Sequence, residues 1–192
     1  MSSWINCGCR QFGALCGFLA ILAGCAPTQG LPPLRTVERV DLPRYMGTWY
    51  EIASYPHRFQ KGCVASRADY ELQADGRVKV LNQCRQERLD GPLKSVTGTA
   101  RVVDATSNAQ LEVSFFWPFW GGYWIIALDP DYRWAVVGHP SRDYLWVLSR
   151  TPTIDESVYQ MILAGLPAQG YDLARLQRTL QPASTGDSLL RK

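Results

Sequence analysis

Residues 114–134 read SFFWPFWGGYWIIALDPDYRW, with nine aromatic side chains among 21 positions and four of the protein's seven tryptophans. The stretch contains turn signals at both ends of an apolar run. Pro118, Gly121 and Gly122 precede Tyr123–Leu128, and Asp129-Pro130-Asp131 follows it. The run is too short for a helix of ordinary length and is flanked by turn residues, so it reads as a strand. One isolated strand cannot bury so much ring surface. The segment therefore needs further strands to pack against.

Moving outward, the rest of the chain repeats this pattern. Short apolar runs separated by turn signals give candidate strands at 48–54, 63–73, 77–84, 94–104, 109–117, 122–129, 133–139 and 144–150. Asp75-Gly76 reads as a hairpin turn, because glycine adopts positive φ without steric cost. Val78, Val80 and Asn82 alternate with Arg77, Lys79 and Leu81, and Leu111, Val113 and Phe115 alternate with Glu112 and Ser114, which is the period of a half-buried strand. Eight strands at regular spacing with no helix between them predict an antiparallel barrel or sandwich. One amphipathic helix follows in TPTIDESVYQMILAGL. Thr153 and Glu156 read as its capping box, Ile154, Val158, Met161, Ile162 and Gly165 as its apolar stripe, and Pro167 as its stop. A single helix cannot fill a barrel and is expected on the outer wall. Residues 172–180 are expected to add a short last strand.

The N-terminus is read separately. One positive charge, Arg10, precedes an apolar stretch from Phe12 to Ala23, too short to span a bilayer and suited to a signal peptide. The stretch ends in Leu22-Ala23-Gly24-Cys25, which resembles the bacterial lipobox. That resemblance implies a signal peptide over 1–24, lipidation of Cys25, and an anchor in the outer membrane, since Ala26 is not Asp. Residues 25–40, rich in proline and small polar residues, read as the lipidated terminus and tether. Residues 41–181 form the expected domain and 182–192 a flexible tail. The net charge of +3 is too mild to argue for nucleic acid and no Lys/Arg run supports it, so no nucleic-acid partner is expected. Cys7, Cys9 and Cys16 leave with the signal. Besides Cys25 that leaves Cys63 and Cys84, expected to form a disulfide in an oxidising compartment. Counting from a two-residue turn at 75–76 leaves them about four residues out of register, so the disulfide requires a bulge or loop offset.

Gly47-Thr48-Trp49 in YMGTWYEIASYPHRF, then ALDPDYRW, then LWVLSRTP with Arg150, resemble in order the three motifs of lipocalins. The longer blocks around them are similar to the branch that holds bacterial outer-membrane lipocalins and apolipoprotein D. The likeness covers about residues 40–180. It implies an eight-stranded up-and-down barrel with a C-terminal helix outside it. Gly47, Trp49, Asp129, Tyr132 and Arg150 are implied to be a structural floor, with Arg150 stacked on Trp49. It also implies a membrane-anchored carrier of fatty acids, lysophospholipids or related lipids, with the domain facing the periplasm.

In such a barrel the loops at 55–62, 85–93, 117–122 and 138–143 gather at the open end. Phe59 is expected at the rim, and Val80, Ala100, Val113, Phe115, Trp120, Tyr123 and Trp146 in contact with ligand. A second expectation for Trp117, Phe119 and Trp120 is a homodimer face. His57 and His139 lack Cys or Asp partners at ligand spacing, so no metal and no cofactor are expected. His57-Arg58-Phe59-Gln60-Lys61 would bring positive charge to the mouth for an anionic head group. No catalytic motif stands out, and the protein is read as a non-enzyme. Two rivals are a lipid isomerase using a Cys63 thiolate near Lys61 and Arg58, and a lipoprotein subunit of an envelope assembly.

Overall fold

The computed structural model of the protein describes residues 30–183. The expected signal peptide and Cys25, and the tail beyond residue 183, lie outside the described residues. Eight strands run in sequence: β1 (Gly47–Ser54), β2 (Cys63–Leu72), β3 (Val78–Gln86), β4 (Leu93–Val102), β5 (Gln110–Phe116), β6 (Phe119–Leu128), β7 (Trp134–Gly138) and β8 (Leu145–Ser149). Each pairs antiparallel with the next, β8 pairs with β1, and β1 pairs with β2. The sheet therefore closes on itself as a barrel. The turns at 73–77, 103–109 and 129–133 lie at one end, with the start of β1 and the end of β8. The other four connections lie at the open end.

The floor is built on Trp49, which is fully buried. The Arg150 guanidinium lies 3.8 Å from its ring centroid. Arg150 also donates to the carbonyls of Thr48 (2.9 Å), Arg44 (2.7 Å) and Tyr132 (3.2 Å). Asp129 organises the turn that presents Tyr132, accepting the Arg133 guanidinium at 2.8 and 2.9 Å together with the backbone amides of Asp131 and Arg133. The Arg133 partner holds the Asp129 carboxyl below its ordinary range. A short helix, α1 (Leu42–Tyr45), crosses beneath the strands, capped by the Asp41 carboxylate. The sequence pattern missed it, since four residues including a proline carry no period.

Two cores follow from the alternation of the strands. Inside the lower barrel Val78, Val80, Ala100, Leu111, Ile125, Val137 and Leu148 pack over Tyr45 and Trp49. Outside, Ile52, Ile126, Val136, Leu145 and Val147 take the second helix, α2 (Glu156–Gly165). Residues 34–40, assigned by composition to the tether, are packed instead. Leu34 joins the outer core, the Val37 amide donates to Ile125 O (3.0 Å) and the Val40 amide to Ser107 O (2.7 Å).

The helix packs Ile154, Val158 and Ile162 of its expected stripe on the outer core, but departs from its expected cap and at Met161. Asp155, not Thr153, is the N-cap and accepts from the amides of Ser157 and Val158. Met161 faces solvent at 55% exposure, while Tyr159 and Ile162 are buried. Tyr159 offers the larger apolar surface, and the Arg178 guanidinium covers its ring at 3.6 Å, so the buried face turns toward it.

The disulfide forms between Cys63 and Cys84, with Cα atoms 5.4 Å apart. Two devices correct the register. The β2–β3 turn holds three residues, with the Gln73 amide donating to Arg77 O at 2.8 Å. A bulge at Ala65 (φ 49°) and Ser66 then shifts the ladder, so that Cys63 opposes Gln86. The bond spans the remaining diagonal. The bulge also frees the Ala65 amide, which donates to Leu180 O at 2.7 Å.

Replacing Trp49 by alanine is expected to cost about 3–5 kcal/mol, the range for truncating a buried aromatic. Denaturant midpoints of Trp49→Ala and parent would measure it.

Candidate functional site: the barrel interior and its mouth

The inward positions of the strands form an apolar wall above the floor. Val80 and Ala100 are buried on it, and Val113, Phe115, Tyr123 and Trp146 pack against the inner core. Phe115 lies across Gly98, where a Cβ would come within 2.6 Å of its ring, so glycine makes the room the ring needs. Trp120 is a correction. It stands on the outer face, 4.2 Å over Arg101, which pairs with Glu112. These positions alternate with inward Ala100 and Val113. Alternation through β6 turns Trp120 away from the cavity, with Trp124, and Tyr123 into it.

Three tyrosines from three elements meet at the base of this interior. The Tyr45 and Tyr123 hydroxyls lie 2.8 Å apart, and Tyr123 donates to Tyr70 at 3.0 Å. Tyr123 has one proton, so Tyr45 donates to it, and the Tyr70 O–H ends the chain with no acceptor among the described residues. Burial pushes Tyr70 up to about 12 and holds Tyr45 and Tyr123 well above the ordinary tyrosine value. All three are neutral at physiological pH. Only Tyr123 was legible as a site residue; Tyr70 could have been found by extending the β2 alternation, while Tyr45 depends on the unrecognised α1.

At the mouth a polar set faces the apolar wall. Glu51 is only 7% exposed and accepts from Ser54 (3.0 Å), Thr179 (2.5 Å) and Gln60 (2.8 Å). Gln60 also receives the Trp146 indole N–H at 3.4 Å. The His57 ring packs among Phe59, Tyr144 and Trp146, with centroids 5.6–6.1 Å away, and both its nitrogens are buried without a partner. Burial lowers its pKa, against the opposing influence of Gln60 and Glu51. Phe59 is exposed in the mouth loop, its ring beside Arg58 at 4.7 Å. A cleft of about 580 Å³ opens between this loop, the end of β1 and residues 177–180, with Glu51, His57, Arg58 and Lys61 in its lining. Among the described residues no His, Cys, Asp and Glu side chains cluster as a metal site. The Cys63 sulfur is bonded to Cys84, so the isomerase reading loses its nucleophile.

A closed antiparallel barrel with a plugged floor, an apolar inner wall and a helix on its outer wall is the architecture of a lipocalin. The chain belongs to the lipocalin family, and the family's sequence model, the lipocalin-like domain, matches residues 40–181. It is 44% identical over 167 residues to the outer membrane lipoprotein Blc of Escherichia coli K12, covering 85% of this chain and 92% of that protein. Apolipoprotein D of Macaca fascicularis is 34% identical over 78% of this chain and 80% of its own. The fold matches insecticyanin from the tobacco hornworm Manduca sexta with a TM-score of 0.63 at 18% identity, over 82% of this chain and 88% of that one. Like its Blc relatives, the protein is a lipid-anchored protein of the outer membrane.

His57 carries a pH prediction. Its folded pKa is depressed, so acidification protonates the unfolded chain first, and stability falls as pH drops below roughly 6.5. His139, also lowered by burial, acts in the same direction. Denaturant midpoints at pH 7.5 and pH 5 should differ less in His57→Phe than in the parent.

Proposed function

We propose that the protein carries a single-chain lipid, a fatty acid, a lysophospholipid or a close relative, between membrane surfaces of the cell envelope, with its domain facing the periplasm. The observation that carries this reading is the polarity gradient of the interior. The wall formed by Val80, Ala100, Val113 and Phe115 is apolar, while Glu51, Gln60, Arg58 and Lys61 line the cleft beside the mouth loop. An acyl chain enters the barrel and the head group stays among the mouth's polar side chains. Each buried CH₂ contributes about 0.8 kcal/mol before the costs of association. A long chain therefore supplies enough free energy with no reaction.

Cys25 is the residue we assign to lipidation. Cys25→Ser should release the protein from membranes and block processing between Gly24 and Cys25. Fractionation with mass analysis of the N-terminus would check both, and a mutant that stays membrane-bound and normally cleaved would remove the anchor assignment.

The cavity is tested by comparing its two faces. Phe115→Ala and Tyr123→Ala should each weaken binding of a fatty acid and of a lysophospholipid by about tenfold or more, the loss expected for a large apolar contact. Trp120→Ala, on the outer face, should leave both affinities close to the parent. Titrations followed by tryptophan emission would separate them, and equal binding by all three variants would rule out the interior as the site.

A further inference from the structure

The β5–β6 hairpin ends in an exposed aromatic tip. Phe116 is 66% exposed, Trp117 85% and Phe119 76%, and none of them contributes to either core. On the neighbouring rims Phe59 and Leu93 are each 55% exposed. Such large apolar side chains, grouped at one end of a water-facing barrel, mark an interaction surface.

The path of the N-terminal segment identifies what covers it. The chain enters the described fold at the same end of the barrel. The Arg142 guanidinium, in the β7–β8 loop, donates to the carbonyls of Pro32 and Pro140, and to Gln169 O at 2.9 Å. Pro140 in turn lies against Gly122 of β6, where a Cβ would stand 3.0 Å from its ring. From there residues 34–40 run down the outer wall to the floor. Cys25 stands six residues before Leu31, and six residues reach at most about 20 Å. An acyl group on Cys25 is thus tied to the mouth end, and the floor lies at the far end of the strands. Charge agrees with a lipid surface: Arg58, Lys61 and Lys94 are exposed on this rim, and Arg88 is paired with Asp90 at 2.9 Å.

We propose that the open end of the barrel docks on the bilayer that holds the anchor, with Phe116, Trp117 and Phe119 inserted at the level of the head groups. Aromatic side chains favour that interface, where ring and water-exposed edge are both accommodated. The mouth then opens onto the lipid surface, and a lipid passes between bilayer and barrel without crossing bulk water. The inference rests on assigning the anchor to Cys25 and on the carrier reading, and it is separable from both.

The test uses the mature chain from residue 25 carrying Cys25→Ser, so that no acyl anchor contributes, and vesicles of phosphatidylethanolamine and phosphatidylglycerol. The chain should float with the vesicles, and brominated lipids should quench its tryptophan emission, with less quenching in Trp117→Phe. Phe116→Ser/Trp117→Ser/Phe119→Ser should lower vesicle partitioning at least about tenfold, since each ring leaves the apolar phase, while still binding fatty acid in solution. The proposal is overturned if the unlipidated chain stays free of vesicles, or if the triple variant partitions as the parent does. A change in oligomeric state with unchanged partitioning also overturns it and makes the tip a protein interface. An acyl-free Cys25 in the native protein would remove the anchor assignment while leaving the vesicle result readable. Loss of fatty-acid binding in the parent would remove the carrier reading alone.

Discussion

A guanidinium laid over an indole holds the lower end of this barrel. Trp49 comes from the first strand and Arg150 from just beyond the eighth, so their stacking at 3.8 Å joins the two strands that must meet for the sheet to close. Burial disfavours the arginine's charge, and three carbonyls, from Thr48, Arg44 and Tyr132, satisfy its donors. The same cation therefore ties β1, α1 and the β6–β7 turn into one floor. The lower end of the barrel is closed because this contact fills it.

The opposite half of the β1–β2 seam is closed differently. The two strands pair only from Gly47 to Tyr50. Above that they diverge, and the C-terminal segment fills the gap. The two-residue strand β9 (Gln177–Arg178) pairs with Ala53 and Ser54, Thr179 donates to Ile52 O, and Gln181 bridges the carbonyls of Glu51 and Ser66. The bulges at Ala65–Ser66 and near Glu51 give this segment its hydrogen-bonding partners. The buried Glu51 carboxylate is held by Thr179 as well as by the mouth loop, so the chain's end helps to set the polarity of the opening.

The two ends of the barrel differ in polarity. Aliphatic and aromatic side chains line the barrel, a layer of neutral tyrosine hydroxyls lies over the floor, and glutamine, glutamate and cationic side chains gather at the mouth. The aromatic residues of the stretch from 114 to 134 divide among these environments. Phe115 and Tyr123 face inward, Trp120 covers an arginine on the outer wall, and Trp117 and Phe119 project beyond the barrel. One dense segment thus serves three surfaces, since successive strand residues point to opposite faces and the hairpin tip belongs to neither.

The strands and their turns were legible in the sequence, because apolar runs between Gly, Pro and Asp are local signals, while their up-and-down order came from the motif resemblance. Trp49 and Arg150 were legible as a pair through motif resemblance together with strand direction. What only the tertiary structure decided depends on contacts between distant segments. Strand alternation cannot say which face of β6 turns inward when both are apolar, so the side of Trp120 was settled by Arg101 on β4. The helix exposes Met161 because Arg178, 17 residues on, covers Tyr159. The disulfide register required a bulge whose freed amide is met by Leu180. Glu51 and His57 share one cleft because β1, the 56–62 loop and the C-terminal segment converge there, and Tyr70 meets Tyr45 and Tyr123 because β2, α1 and β6 converge over the floor. A one-dimensional pattern carries periodicity, but burial and polarity at a given point arise from all the segments that surround it.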